Sequence, residues 1–404
     1  MPRRSNRMER YDPIAIVGGG PAGALAGAML AQGGRKVLLF EEKLAWEKPC
    51  GGGLTHKALK QYPFLDQTQS EYNAVRRCQL ISPSGRSVQF EMQLPIAIFS
   101  RFALNGLLLE RARGAGAEIR KERVREIRRH GSEWVVRTAD GEYRVAHLVL
   151  AAGARSALRA QFTRPFVSDD LMVSAGYYIP GRSSLIQIQF LKGIAGYIWT
   201  FPRADHFSAG ICGRTDGTST AEMRRILEEW LAKNGFDIAG ARFYSHILPA
   251  LRTETLEELE ACGEGWTMIG DCAGLVDPVT GEGLYYALRS GELCAQALLR
   301  ERPEKYRLGL DEEILPELKI AAAASERFYT GQALGESVLE VMVKLTAESE
   351  SFRALMRDLF AGVQGYRGLR SRLYRSLPTF VAEAISGSLR LTWGTERAVE
   401  PIAE

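Results

Sequence analysis

The chain has little histidine, no paired cysteines and no long apolar run. Its 404 residues include 5 histidines and 6 cysteines. Cys50, Cys78, Cys212, Cys262, Cys272 and Cys294 are scattered without a CxxC pair or a His-rich neighbour, which argues against a metal site and against a disulfide framework. A reducing cytoplasm is the expected compartment. No stretch of 18 residues is apolar enough to span a bilayer, and the N-terminal arginines run into Asp12 and a glycine-rich turn where a secretory signal would place an apolar segment. A net charge of +4 from 52 basic and 48 acidic residues leaves no concentrated basic face, so nucleic acid is not an expected partner. Two local clusters stand out, Arg3, Arg4, Arg7 and Arg10 near the start and Arg367, Arg370, Arg372 and Arg375 near the end. Each reads either as a solvated charge run or as peripheral contact with an anionic membrane surface.

Glycine, by contrast, is abundant, with 41 residues, and its placement carries chemistry. Residues 13–17 read as a short buried strand and residues 21–32 as a small-residue helix stopped by Gly33-Gly34. Between them lies Gly18-Gly19-Gly20-Pro21-Ala22-Gly23. Gly18 permits the tight turn, Gly20 lets backbone approach a pyrophosphate, and Gly23 lets the helix pack closely on the sheet. The helix N-terminus, with Pro21 and Ala22, faces negative charge. A second strand, residues 36–40, ends in Glu41, placed to accept the hydroxyls of an adenosine ribose. Glu42 beside it is a weaker second candidate, and an acidic pair disfavours a 2′-phosphate there.

A second signature lies far downstream. Residues 266–269 read as a strand, followed by Gly270-Asp271, a turn-rich run through Pro278, Gly281 and Gly283, and an apolar helix from Leu284. Asp271 can accept from a ribityl hydroxyl, and the backbone at Gly281, Gly283 and Leu284 can donate toward the pyrimidine end of an isoalloxazine. Together the two signatures indicate bound FAD.

These signatures resemble the flavoprotein fold of aromatic hydroxylases. Lys48-Pro49-Cys50-Gly51-Gly52-Gly53 and Gly196-Tyr197-x-Trp199-x-Phe201-Pro202 are similar to motifs of the geranylgeranyl reductase family, over roughly residues 12–300. The resemblance implies an α/β fold, with a Rossmann-like FAD domain interleaved with an antiparallel β-sheet substrate domain. It also implies saturation of isoprenoid double bonds in a diphosphate, lipid, chlorophyll or quinone. Cys50, Gly51, Gly52, Arg101 and Gly153 join the expected FAD contacts. One departure is informative. Where the family carries Ala-Asp-Gly, this chain has Ala151-Ala152-Gly153, with Ser156 and Arg159 retained. The acid is implicated in nicotinamide use, so the reductant is left open among NADPH, NADH and reduced ferredoxin or another electron-donor protein.

Residues 74–93 and 171–214 alternate apolar and polar residues between turn signals, as an antiparallel sheet does. Residues 100–113 read as a helix capped by Ser100, with Arg101 either at the flavin or on the surface. Tyr197, Trp199 and Phe201 share one strand face. They read as a sheet core or, with Pro278, as the wall of a pocket for an isoprenoid or other apolar small molecule. Reducing an isolated alkene requires a proton as well as a hydride. Cys50 is the first candidate to act as proton donor, gate or redox switch, with Tyr197 the alternative donor and Trp199 beside it.

The expected domains are a basic arm (1–11), a discontinuous FAD domain (12–73, 94–170 and 256–308), a substrate domain (74–93 and 171–255) and a C-terminal helical region (309–404). The last is expected either to pack on the FAD domain or to act as a membrane-facing lid. Alternative functions are a flavin monooxygenase or halogenase and, in another class, a non-catalytic FAD-containing lipid-binding protein. Against the halogenase, the Trp-x-Trp-x-Ile-Pro run of those enzymes stands here as Tyr-x-Trp-x-Phe-Pro.

Overall fold

The computed structural model describes residues 13–66, 72–214, 218–333 and 335–391. The N-terminal arginines of the expected basic arm lie outside the described residues.

Strand β1 (Ile14–Val17) has all four residues buried, as does β2 (Val37–Phe40). Strands this apolar on both faces need helices on both faces. Helix α1 (Pro21–Gln32) follows β1 and is almost wholly buried. The chain then forms β3 (Gly53–Leu54), α2 (His56–Gln61), β4 (Tyr72–Ile81), β5 (Ser87–Phe99) and α3 (Arg101–Gly114). After β6 (Glu118–Arg120), the strands β7 (Glu126–His130), β8 (Glu133–Arg137) and β9 (Glu142–Val145) make a separate three-stranded antiparallel sheet. Strand β10 (His147–Leu150) then returns beside β1, in parallel.

The second sheet is built mainly from β11 (Leu171–Pro180), β12 (Leu185–Phe190), β13 (Gly196–Pro202), β14 (His206–Gly213) and, after α4 (Thr220–Lys233), β15 (Arg242–Pro249). Helix α5 (Thr253–Glu257) leads back to the first sheet through β16 (Cys262–Gly263) and β17 (Trp266–Met268). The first sheet has the order β16-β17-β10-β1-β2-β6, and the second β15-β11-β14-β13-β12-β4-β5-β3. Every pair in the second sheet is antiparallel except β4 with β12, which run parallel. These two strands are joined by a long excursion through the first domain, the kind of crossover a parallel pair requires.

The second sheet takes more of the chain than the alternation of residues 74–93 suggests. Strand β5 continues to Phe99, so residues 94–99 lie in this sheet. Pro95 makes the run look finished, because proline removes a ladder donor. Here the register slips opposite it, with Val75 facing Ile96 and Arg77 facing Glu91, and such an irregularity accommodates proline. Gly53 and Leu54, just past the cysteine motif, add an edge strand against β5.

The first core is completed by α6 (Leu284–Leu299), which packs on α1 so closely that a Cβ at Gly291 would stand 2.4 Å from the Ala22 carbonyl oxygen. Helices α7 (Glu304–Gly309), α8 (Leu315–Thr330), α9 (Val338–Glu348), α10 (Glu350–Phe360) and α11 (Leu369–Leu391) follow. The C-terminal region divides between two cores. Leu310, Ile314, Leu315 and Leu318 join the first core, with Tyr306 of α7. Leu339, Met342, Val343, Leu355 and Phe380 instead join Phe90 and Met92 of β5 in a second core. The reason lies in the pattern of β5, whose residues Val88, Phe90 and Met92 are buried in alternation and need an apolar cover. On another part of the second sheet, Met223, Leu227 and Leu231 of α4, four residues apart, cover Ala175, Ile198 and Ile211.

Candidate active site

Where the two sheets and the C-terminal helices meet, they enclose a cavity of about 510 Å3. One end is made by loops of the first domain. Gly18 has φ +110°, and a Cβ there would lie 2.3 Å from the Ala151 carbonyl oxygen. A Cβ at Gly23 would lie 2.0 Å from the Gly18 carbonyl oxygen, whereas one at Gly20 would meet nothing within 4 Å. Two of the glycines are thus forced by crowding inside the protein, and the third faces open space. Gly20, Pro21 and Ala22 line the cavity, and the first N–H groups of α1 have no intrahelical acceptor.

Glu41 stands at the end of β2, where its carboxylate accepts from Gly19 N–H at 2.8 Å and from Lys43 N–H at 3.0 Å. A carboxylate has about four lone-pair sites, so acceptor capacity remains. Glu42 is exposed and loosely paired with Arg123 at 3.8 Å.

Asp271 meets Lys48 across the cavity, with Lys48 Nζ 3.0 Å from its carboxylate. Burial pushes the Asp271 carboxyl up, but the charge of Lys48 together with His246 and Arg101 outweighs it, and the net shift is downward. Burial and the charge of Lys48 push the neighbouring His246 down to about 3, so its ring is neutral at physiological pH. His246 lines the cavity with its Nε2 buried and unpaired, as does Trp199 with its Nε1. Gly153, with φ +77°, and Gly281, with φ +70°, take backbone conformations that side chains disfavour, and both line the cavity with Gly283 and Leu284.

The loop carrying Cys50 is locked from beneath. Arg203 has a side chain with no solvent exposure. It donates to Glu47 and, at 2.7 Å, to the Cys50 carbonyl oxygen, which also accepts from Ser208 Oγ at 2.9 Å. Glu47 further accepts from the Arg101 N–H at 2.8 Å and the Phe102 N–H at 3.3 Å, tying this loop to the start of α3. Arg101 is buried at 3% exposure, contrary to a surface reading, and lines the cavity. The Cys50 Sγ accepts from Gly52 N–H at 3.3 Å. Gly51 has no room for a side chain because the ring of Phe201 lies 2.3 Å from where its Cβ would be, and Gly52, at φ +86°, would strike the Phe99 carbonyl oxygen.

Strand β13 forms the opposite wall. Alternation sends Ile198 to α4 and turns Tyr197, Trp199 and Phe201 to the cavity. The Tyr197 hydroxyl donates to the Thr280 carbonyl oxygen. Pro278 is not part of this wall. It is buried with its carbonyl held by Ser325 Oγ at 3.2 Å, while Val276, Asp277, Val279 and Thr280 on either side reach the cavity.

Several groups at the site escape a reading of motifs. Tyr366, between α10 and α11, donates to the buried Asp277 carboxylate at 2.8 Å. Burial pushes the Asp277 carboxyl up, against the amides of Val279 and Thr280, which also bond it. Burial and the Asp277 charge push Glu282 up to about 7. The far end of the cavity is apolar, walled by Phe190 and by Phe328, Met342, Met356 and Phe360 from three of the C-terminal helices. No sequence signal ties these helices to the strand. Only Lys48 and Arg203, which lie in or next to the two quoted motifs, could have been found by extending them.

All six cysteines are free. Among the described residues no group of side chains could hold a metal ion, and no helix is long and apolar enough to cross a membrane.

The arrangement fits FAD. Open space stands over Gly20, glycine backbone and two helix N-termini face one end, and unpaired buried nitrogens of His246 and Trp199 reach the same cavity. Comparison with known proteins agrees. The FAD dependent oxidoreductase family model matches residues 97–291. A chloroplastic geranylgeranyl diphosphate reductase of rice (Oryza sativa) is 28% identical over 81% of this chain and 77% of its own length. A menaquinone reductase of Mycobacterium tuberculosis is 27% identical over 70% of this chain and 76% of its own. The crystal structure of a geranylgeranyl bacteriochlorophyll reductase-like protein from Thermoplasma acidophilum shares the fold, with TM-score 0.75 and 19% identity over 91% of this chain and 99% of that one.

Proposed function

Because this chain is an FAD-dependent oxidoreductase with geranylgeranyl reductases among its relatives, we propose that it saturates carbon–carbon double bonds of a geranylgeranyl or similar isoprenoid chain. The observation that carries this reading is the two-ended cavity, glycine-lined and charged at one end and walled by Phe328, Met342, Met356 and Phe360 at the other. An apolar tail entering that far end gains about 0.8 kcal/mol per buried CH2.

In this reading Gly20, Pro21 and Ala22 cradle the pyrophosphate, with Gly18 and Gly23 shaping the turn behind them, Glu41 takes the ribose, and Asp271, held ionised by Lys48, takes a ribityl hydroxyl. Reduced FAD held there would supply the hydride for one alkene carbon. The chain must supply a proton for the other, exclude water and hold the tail. Trp199 and Phe201 form the water-excluding wall. Phe201 seats on Gly51, so the Cys50 loop is braced against the aromatic strand, with Cys50 as gate or proton donor. The Tyr197 hydrogen is engaged by the Thr280 carbonyl. The Tyr366–Asp277 pair and Glu282, which keeps its proton up to about pH 7, offer a reservoir nearer the C-terminal helices.

Anaerobic photoreduction of the purified protein followed by geranylgeranyl diphosphate or a geranylgeranylated lipid tests the reading. Flavin reoxidation with a product heavier by two hydrogens per bond is the expected result. Reoxidation only on admitting oxygen, with an oxygenated product, would instead identify a monooxygenase. A flavin that stays reduced while the lipid binds tightly would identify a carrier. Mixing the oxidised protein with NADPH, NADH or reduced ferredoxin identifies the donor, and we propose a donor protein, since Ala152 stands where the family carries an acid.

A further inference from the structure

Among the described residues, exposed apolar side chains gather on and just before helix α11. Eleven large hydrophobic side chains are exposed among the described residues, and six of them, Val363, Leu373, Tyr374, Leu377, Val381 and Ile385, fall on this helix or just before it. Such clustering marks an interaction surface in a way that singly scattered residues do not. The helix is anchored by its other side. Phe380 is 2% exposed and meets Phe352 edge to face at 5.2 Å. Glu383 accepts from Ser349 Oγ and from both the Oγ and N–H of Ser351. Leu373, Leu377, Val381 and Ile385 recur every fourth residue and so form one continuous outward stripe.

The charges beside the stripe have a single sign. Arg370 lies over the exposed ring of Tyr374 at 5.5 Å, and Arg375 bonds only the Ser371 carbonyl oxygen of its own helix. Neither has a carboxylate partner among the described ion pairs, whereas Arg372 is neutralised by Asp358 at 2.7 Å and Arg367 is drawn to Glu317. The one carboxylate that α11 carries between Leu369 and Ser386 is Glu383, and it is turned inward to the serines. An apolar stripe rimmed by two arginines without carboxylate partners, on a helix that exposes no acid of its own between Leu369 and Ser386, complements an anionic bilayer surface. The wall of the cavity also reaches this element, since Tyr366 and Leu369, at the head of α11, line it.

We propose that α11 is a membrane-docking helix, which seats Leu377, Val381 and Ile385 among the acyl chains of an anionic leaflet and places Arg370 and Arg375 at its headgroups. Docking in this way brings the Tyr366 and Leu369 end of the cavity to the lipid, so that an isoprenoid tail passes from bilayer to protein without crossing water.

The test is co-sedimentation of the full flavin-loaded chain with vesicles of phosphatidylcholine alone or mixed equally with phosphatidylglycerol. It reads lipid binding and holds whichever alkene is reduced. Binding is expected on the mixed vesicles and weaker on phosphatidylcholine, and it should fall with salt. Arg370→Ala and Arg375→Ala should each lower it about fivefold, and the double change Leu377→Glu with Val381→Glu more than about tenfold. Flavin content and melting temperature should stay at the wild-type level, because these side chains are exposed. Failure of the wild-type chain to bind, or equal binding by the glutamate variant, overturns the proposal. So does a wild-type dimer that the glutamate variant splits into monomers, which would identify the stripe as a contact between two copies.

Discussion

The two ends of the cavity are built by different means. The cofactor end is backbone, with Gly20 open to the cavity, Gly153 and Gly281 at positive φ, and a few charges, Lys48 and Asp271 at 3.0 Å, that neutralise one another. The apolar end is side chain, assembled from β12 and β13 on one side and α8, α9 and α10 on the other. The backbone site tolerates little change at Gly18, Gly23 and Gly52, because a Cβ there meets main-chain atoms that cannot rotate away, and at Gly20 it would fill the open space itself. A side-chain site is graded, because it loses affinity by the area each residue buries. The difference teaches where chemistry is conserved by geometry and where specificity can drift.

The sharpest way to break that comparison is a pair of alanine substitutions three residues apart. Gly23→Ala sets a methyl 2.0 Å from the Gly18 carbonyl oxygen. It should cost at least about 3 kcal/mol and yield a protein without flavin. Gly20→Ala meets nothing within 4 Å and has an ordinary φ of −67°. It should leave the melting temperature of the flavin-free protein nearly unchanged, within about 1 kcal/mol, while weakening flavin binding about tenfold or more, because the methyl takes the space a pyrophosphate requires. Flavin-to-protein absorbance ratios and thermal melts read both. Full flavin retention in Gly20→Ala would mean that the open space over the turn is not where the cofactor lies.

The same contrast explains what the sequence reveals. Gly18, Gly20 and Gly23 are legible because a turn, a close approach and a tight helix contact each require the absence of a side chain, and a required absence shows in a single chain. Tyr197, Trp199 and Phe201 are legible as one face because a strand alternates. Their partners are not. Phe328, Met342 and Phe360 look like ordinary helix-core residues, and nothing local ties them to a strand more than a hundred residues earlier. Pro278 sits in a conspicuous motif yet lies behind the wall, since neighbours in a turn point in different directions. Arg101 follows a cap signal onto α3, but the backbone there is also held by Glu47 from another loop, and its guanidinium bonds Asn105 one turn on, neither of which the cap signal shows. Pro95 disguised the end of β5, because a bulge that accepts proline depends on the partner strand.

A medium-sized effect separates the two ends directly. Phe328 packs edge to face on Phe190 at 5.9 Å and on Tyr329 at 5.0 Å and lines the far end of the cavity. Phe328→Ala should weaken equilibrium binding of geranylgeranyl diphosphate about tenfold, as the loss of an aromatic wall implies, with flavin content unchanged. Loss of flavin in this variant would show that the ends are coupled, and unaltered binding would move the tail elsewhere.

The smallest expected effect is a proton equilibrium where the ends meet. Glu282 is pushed from 4.5 up to about 7 by burial and by the charge of Asp277, and Thr55 Oγ1 lies 3.4 Å from it. In this window the folded protein binds more protons than the unfolded chain, so stability falls as pH rises. The contribution is complete below about pH 4.5 and gone above about pH 7. Glu282 is partly exposed, so solvent screening leaves the contribution at roughly 1 kcal/mol, or about 2 °C in melting temperature for a protein of this size. Glu282→Gln keeps the shape and the amide's hydrogen bond to Thr55 but cannot ionise, so its melting temperature should lose that decline between pH 4.5 and 7 while matching the wild type at the acid end. Parallel melting curves for both proteins across this range measure the difference, and an unchanged slope in the variant would assign the proton to Asp277 and Tyr366 instead.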